Sequence, residues 1–388
     1  MRMSAQIDNK ITICHVLNRF GIGGMENGVV NICNRLDRSR FNPIICCLNA
    51  LGPMAKRLNP STQAYCMDYS KGFKFRNVIG LALFFKRSRV DIVHTHAWGE
   101  GSLYGILAAR LARVPVVING EHGSFFTKRH QKIAQRIIYS LCDANLSVSE
   151  SLKIRVNTII GLPLSSIKVI RNGVDTEIFN GNYPKREIIE RLYSAGYLLD
   201  LQSFYVIVIG SLKLEKAPMM LLYALKRLMM DNPSMKLKIL FVGDGPDREK
   251  MTSFIERESL HNAVFLLGNR DDVPELLCLA DVLVSTSIAR HEGMSNVMLE
   301  AMSSGVPVLA TRSVGAAELV KDGVNGFLVE PGDETMLAGR LEELYHDVEL
   351  LRGMRDNART LIWDQYSIKR MLQEYEELYD DLIQEKMH

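Results

Sequence analysis

Glu121-His122-Gly123 closes the apolar run 115–119, and a histidine beside a glutamate at the carboxyl end of a strand suits contacts to substrate hydroxyls or proton handling. A loop ion pair is the plainer alternative. His94-Thr95-His96 closes another run, 91–94. Two histidines at i, i+2 could ligate a metal, but no third ligand stands near them in the chain. Hydrogen-bonded structural histidines are the other reading. Gly21-Ile22-Gly23-Gly24-Met25-Glu26 follows the first apolar run. Glycines there let backbone amides approach an anion, and a helix N-terminus favours negative charge. The spacing is not the dinucleotide G-x-G-x-x-G, and a tight strand-to-helix turn explains it as well.

Arg290-His291-Glu292-Gly293-Met294-Ser295-Asn296 leads into a helix expected over 297–302. Glu292 and Glu300 are eight residues apart, a little over two helical turns. Glu300 lies within Met298-Leu299-Glu300-Ala301-Met302, where a carboxylate is costly to bury without partners. Ribose hydroxyls would be such partners, and the amides of residues 294–296 could hold a diphosphate. An exposed surface carboxylate is the competing reading. In Ser211-Leu212-Lys213-Leu214-Glu215-Lys216, lysines beyond a strand suit phosphate neutralisation or are simply solvated.

These segments share a position. Each stands at the end of a short apolar run or in the loop beyond it. The runs are 11–17, 43–48, 64–67, 91–94, 115–119, 144–148 and 168–171, then 204–209, 237–242, 264–266, 282–285, 307–310 and 326–329. Short apolar strands alternating with amphipathic helices predict βαβ units and parallel sheets buried on both faces. Ligands of such sheets sit beyond the carboxyl ends of the strands. The rhythm breaks over 172–203, where Asn-Gly, Gly-Asn and Tyr-Pro mark turns. The expected organisation is therefore α/β, with doubly wound halves at residues 1–180 and 181–365. A terminal helix, 366–388, is expected to pack back on the first half.

The 388 residues carry 47 Lys+Arg against 44 Asp+Glu, a net charge of +3, with 47% hydrophobic residues and mean hydropathy +0.00. That composition excludes a disordered or collagen-like chain. It gives no reason to expect nucleic acid as a partner. The charge is locally segregated. Residues 71–89 hold Lys71, Lys74, Arg76, Lys86, Arg87 and Arg89 with no acid, and residues 128–136 add Lys128, Arg129, Lys132 and Arg136 beside Phe125-Phe126. Such stretches suit an anionic lipid surface, or are core helices with solvated lysines. Seven cysteines, an odd number without C-x-x-C, read as reduced thiols. Without an apolar leader or a run of 18 apolar residues, a cytoplasmic chain is expected, with peripheral contact to the inner face of the cytoplasmic membrane left open.

Taken in order, Gly23-Gly24-Met25-Glu26, Asp91-Ile92-Val93-His94-Thr95-His96, Glu121-His122-Gly123, Arg171-Asn172-Gly173-Val174-Asp175 and the run 292–311 (EGMSNVMLEAMSSGVPVLAT) resemble glycosyltransferase family 4, retaining enzymes of the GT-B fold. The likeness covers nearly the whole chain and leans toward bacterial exopolysaccharide and surface-glycan transferases. It implies a fold of two Rossmann-like domains facing a cleft, and transfer from a nucleoside-diphosphate sugar to an acceptor hydroxyl, that of a glycan or lipid-linked glycan. It assigns catalytic roles to His122, Lys216 and Glu292. Donor binding falls to Gly23, Gly24, Lys216, Arg270, Glu292, Gly293, Met294, Ser295, Asn296 and Glu300. Glu26 and His96 fall on the acceptor side. It implies no cofactor and no metal, and no Asp-x-Asp stands in a suitable loop.

One position departs from the family pattern. Where the family has Gly-Arg-Leu, this chain has Gly210-Ser211-Leu212, so an arginine that helps neutralise the leaving diphosphate is replaced by Ser211. Lys213, Arg270 and Arg290 are the basic residues left to substitute. A nucleotide-sugar epimerase and a non-catalytic nucleotide-sugar binder are the rival readings of the same architecture.

Overall fold

A parallel strand finds hydrogen-bond partners only in its neighbours, so each apolar run needs strands on its flanks and helices on its faces. The computed structural model describes residues 10–387 apart from 22, 70, 71, 73, 98, 123–128 and 289–293. Two compact units form, Met1–Asn172 with Lys369–His388, and Gly173–Ile368.

In the first unit β1 (Ile11–Arg19), β2 (Phe41–Ala50), β3 (Ala64–Cys66), β4 (Ile92–His96), β5 (Val116–Glu121), β6 (Ala144–Ser147) and β7 (Ile167–Val169) form one parallel sheet in the order β3-β2-β1-β4-β5-β6-β7. The strand order reverses between β1 and β4, and a sheet of this kind opens its crevice at such a point. The helices between strands are α1 (Gly24–Arg35), α2 (Phe75–Arg87), α3 (Glu100–Ala112), α4 (Arg129–Ser140) and α5 (Glu150–Ile160).

Strand alternation decides what each face carries. Cys14 and Val16 of β1 and Val93 of β4 pack with α2–α5. Leu17 of β1 packs with Val29, Val30 and Cys33 of α1. His15 and His94 turn to that second face, where His94 Nδ1 lies 2.9 Å from the Tyr379 hydroxyl of the terminal helix.

The second unit repeats the architecture. β8 (Phe204–Ile209), β9 (Leu237–Val242), β10 (Val264–Gly268), β11 (Val282–Ser285), β12 (Val308–Thr311) and β13 (Gly326–Val329) form a parallel sheet in the order β10-β9-β8-β11-β12-β13. Its order reverses between β8 and β11. The break read at 172–203 contains α6 (Lys185–Ser194), and the later helices are α7 (Pro218–Asp231), α8 (Arg248–Arg257), α9 (Val273–Leu279), α10 (Asn296–Ser303), α11 (Val314–Leu319), α12 (Glu334–His346) and α13 (Val348–Gln365).

The terminal helix α14 (Ile368–Met387) belongs to the first unit for nearly all its length. Ile368, Met371, Tyr375, Leu378, Tyr379 and Leu382 are its buried residues, a single helical stripe. Its polar rim is also engaged. Arg40 pairs with Glu376 and Asp380, and Lys386 Nζ lies 2.8 Å from Asp143. Asp143 further accepts from Arg110 at 2.9 Å and the Val117 amide at 2.7 Å. Burial alone would raise the Asp143 carboxyl, but these donors, Lys386 foremost, outweigh it and hold it below the usual carboxylate range.

A carboxyl lowered on folding adds stability above its unfolded value and loses it as pH falls through the folded one. Asp143→Asn is therefore expected to cost roughly 1–2 kcal/mol at pH 7. In urea melts that gap should narrow once the pH is below about 4. An equal gap at pH 7 and pH 3 would rule out an ionic anchor.

Candidate functional site

At the tip of β1, Gly23 is the N-cap of α1 in extended conformation, and no side chain caps that helix. Glu26, in the first turn, folds back so that any Cβ at Gly23 would meet its carboxylate. Burial raises the Glu26 carboxyl, partly offset by its own backbone amide. An acid already placed over these glycines competes with a phosphate and suits hydroxyl donors instead.

His96 ends β4, the strand beside β1, and is buried. His122 follows β5 directly and is partly accessible, its ring centre 5.7 Å from that of His96. Its amide donates to Glu121 Oε1 at 2.9 Å, while the Tyr139 hydroxyl donates to Oε2 at 2.5 Å. Burial lowers His122 to about 4, so the imidazole is neutral near pH 7 and can accept as well as donate.

Sequence reasoning found no third histidine for His94 and His96, and the structure supplies one. His15 Nδ1 lies 2.9 Å from His96 Nε2. The partner was missed because it is 81 residues away in the chain. Only the β1–β4 register, His15 opposite His94, brings them together.

In the second unit the tips of β8, β11 and β12 are stitched by hydroxyls. Lys216 ends a 3-10 turn, Leu214–Lys216, just after β8. Thr286 Oγ1 donates to the carbonyls of Lys216 and Ala217 at 2.8 and 3.0 Å, and Ser287 Oγ to that of Glu215 at 3.2 Å. Thr311 Oγ1 in turn donates to the Ser287 carbonyl at 2.5 Å. Thr286, Ser287 and Thr311 are all buried. The run Ser285-Thr286-Ser287 directly after an apolar strand was the available signal. The neighbouring glycine turns lock at backbone level, since a Cβ at Gly243 or Gly245 would strike the main chain of Gly210 or Leu212.

Beyond the β11 loop, α10 begins at Asn296 with Ser295 as an N-cap that makes no side-chain cap bond. Met294 is buried. Glu300 is half-buried rather than enclosed, because Met298, Leu299, Ala301 and Met302 take the core-facing positions of the helix. Arg270, beyond edge strand β10, is committed elsewhere. Its guanidinium makes a bidentate pair with Asp272 at 2.8 and 2.6 Å. Lys213 is exposed, as is Ser211. Glu292, Gly293 and Arg290 lie outside the described residues, as do Lys71, Lys128 and Phe125-Phe126 of the basic stretches.

Residues 22–178 match the family model described as Glycosyltransferase Family 4, and residues 191–361 match the model for glycosyl transferases group 1. The chain is 29% identical over 392 residues to the UDP-Gal:alpha-D-GlcNAc-diphosphoundecaprenol alpha-1,3-galactosyltransferase of Escherichia coli, covering 97% of this chain and 99% of that protein. It is 30% identical to EpsD of Bacillus subtilis (strain 168), over 74% of this chain and 76% of that one. Among solved structures, a glycosyltransferase from Rickettsia africae ESF-5 aligns with TM-score 0.86 at 22% identity, covering 97% of this chain and 99% of that chain. Anabaena HepE in complex with UDP-glucose aligns with TM-score 0.79 at 22% identity, covering 96% and 100%. These likenesses give the GT-B fold.

The Thr286 clamp generates a test of its own. Thr286→Val keeps the volume but leaves the part-buried carbonyls of Lys216 and Ala217 without this donor. A loss of roughly 1–3 kcal/mol is expected in denaturant melts. An unchanged melt would show that the hydroxyl does not hold the turn.

Proposed function

Because the chain belongs to the family 4 glycosyltransferases, we propose that it moves a sugar from a uridine-diphosphate donor to a hydroxyl of a lipid-linked glycan, with retention of anomeric configuration, in bacterial surface-polysaccharide assembly. The observation that carries this reading is the tip of the second sheet. There, at the reversal of strand order, the Lys216 turn is clamped by Thr286 and the uncapped start of α10 follows the same loop. A cation and helix amides so placed suit a diphosphate, whose developing charge on departure is the main electrostatic demand of the reaction. Glu300, half-buried on α10, is assigned to the ribose hydroxyls, and Glu292 with Gly293 to the sugar. His122 is assigned to the donor sugar as a neutral hydrogen-bonding group. Glu26 and His96 are assigned to the acceptor side, with Gly23 and Gly24 giving close backbone approach. Transfer is proposed to need no divalent ion on the diphosphate, Lys216 and the α10 amides supplying that charge. The domain limits 1–180, 181–365 and 366–388 are retained as the proposed functional division.

Two surface stripes support a membrane-facing first unit. On α2, Phe75, Ile79 and Leu83 are exposed while Val78, Leu81 and Phe85 face the core. On α4, Ile133 and Ile137 are exposed four residues apart, and Leu141, just past the end of the helix, is exposed as well. Helix α3 packs against both α2 and α4. Apolar stripes flanked by Lys74, Arg76, Lys86, Arg129, Lys132 and Arg136 match an anionic lipid surface in charge and polarity. No helix of the described residues is long and apolar enough to cross a membrane.

The second reading, a nucleotide-sugar binder without turnover, is favoured by Ser211 and by the commitment of Arg270 to Asp272. Incubating the chain with a panel of UDP-sugars and a polyprenyl-diphosphate-linked acceptor separates the two. The transferase reading expects a glycoside whose anomeric configuration, read by NMR, equals that of the donor. Binding without product in both wild type and Ser211→Arg establishes the binder, and an epimerised donor in the absence of acceptor establishes an epimerase. Glu300→Ala is expected to weaken UDP binding roughly tenfold, about 1.4 kcal/mol, by calorimetry. An unchanged dissociation constant removes its ribose role. Sedimentation with anionic vesicles should weaken with salt and be lost in Leu83→Glu/Ile137→Glu. Indifference to lipid charge refutes the surface.

A further inference from the structure

Three imidazoles of the first unit, those of His15, His94 and His96, come together on one face of its sheet. His15 of β1 and His94 of β4 are register partners, and His96, two residues on, shares their face of the sheet. All three are buried, His15 and His94 at 0% exposure and His96 at 5%. Each offers one nitrogen, and these atoms lie within 4.8 Å of one another. One nitrogen of each ring has a partner. His94 Nδ1 meets the Tyr379 hydroxyl and His15 Nδ1 meets His96 Nε2, both at 2.9 Å. His94 Nε2 is buried without a hydrogen-bond partner among the described residues, and the second nitrogens of His15 and His96, likewise unpartnered there, point away from each other.

We propose that His15, His94 and His96 bind one divalent transition-metal ion of the zinc type. Neutral imidazoles are ligands for zinc, copper, nickel and iron, and this cluster contains neither the thiolates nor the carboxylates that would favour softer or harder ions. The Tyr379 hydroxyl supplies the outer hydrogen bond that fixes the tautomer and orientation of His94, and the ion takes the place of the proton shared by His15 Nδ1 and His96 Nε2. Gly120 leaves room beside the His94 ring. A Cβ there would stand 3.2 Å from His94 Nε2 and 3.6 Å from both His96 Nδ1 and His122 Nε2. Nitrogens sharing a tetrahedral zinc ion stand roughly 3.3 Å apart, so the imidazoles draw inward on binding. Because Tyr379 of α14 holds His94, the ion braces the terminal helix against the sheet. This role is independent of the donor reading and would stand if that reading failed.

The full chain, dialysed against chelator and returned to metal-free buffer, is titrated with Co²⁺ and then Zn²⁺. One equivalent of Co²⁺ is expected to bind at micromolar concentration with a visible band of the tetrahedral type, which Zn²⁺ displaces. Zn²⁺ should also raise the melting temperature by several degrees. His94→Gln/His96→Gln should lose both responses, and exposed His261→Gln should lose neither. Should the double variant fail to fold, imidazole 15N shifts of the wild type locate the ion. Three buried histidines moving together on adding Zn²⁺ supports the site. No uptake of either ion by the folded wild type overturns it and leaves the space to water. So does uptake that perturbs other histidines.

Discussion

The structure rests on the requirement that a parallel strand satisfy its backbone entirely through neighbouring strands. That requirement forces crossover helices onto both faces of each sheet and sends every chain reversal to the ends of the strands. The carboxyl-end loops then carry the accessible polar chemistry, because the strands themselves are enclosed. At the point where strand order reverses, between β1 and β4 and again between β8 and β11, successive loops leave in opposite directions and open space for a ligand.

The two units solve the problem of ordering those loops differently. In the second, hydroxyls of Thr286, Ser287 and Thr311 tie carbonyls across three strand tips, so the Lys216 turn is held by bonds that involve no charge. The clamp itself therefore spends no charged side chain. Arg270 shows the contrary case, its charge spent on Asp272. In the first unit order comes from imidazoles and from α14. His94 reaches Tyr379, and Asp143 reaches Lys386, so the last helix closes over the face that holds His15, His94 and His96.

Much of this was legible in the chain. Short apolar runs at regular spacing announced the two sheets, and the motifs of glycosyltransferase family 4 announced the family that the comparisons bear out. Locally read features kept their places. Ser295 and Asn296 start a helix, and Lys216 stands just past β8. Glu300 is instructive in the other direction. The apolar letters around it suggested enclosure, yet helical phase put Met298, Leu299, Ala301 and Met302 inward and left the carboxylate half-exposed. The basic stretches were visible as charge, but the exposed stripes of α2 and α4 were not. Both faces of those helices are apolar, and only packing shows which one the core takes.

The sequence by itself determined the class of fold, the family and the loops where chemistry belongs. Those follow from periodicity and from neighbours along the chain. Tertiary structure alone decided which distant residues meet. His15 joins His94 and His96 through the register of two strands, Gly120 holds a space among rings from β4 and the β5 tip, and Thr286 grips a turn 70 residues away. The physical reason is the same in each case. Parallel sheets place in contact residues separated by a whole crossover, and no local pattern records which strand will lie beside which.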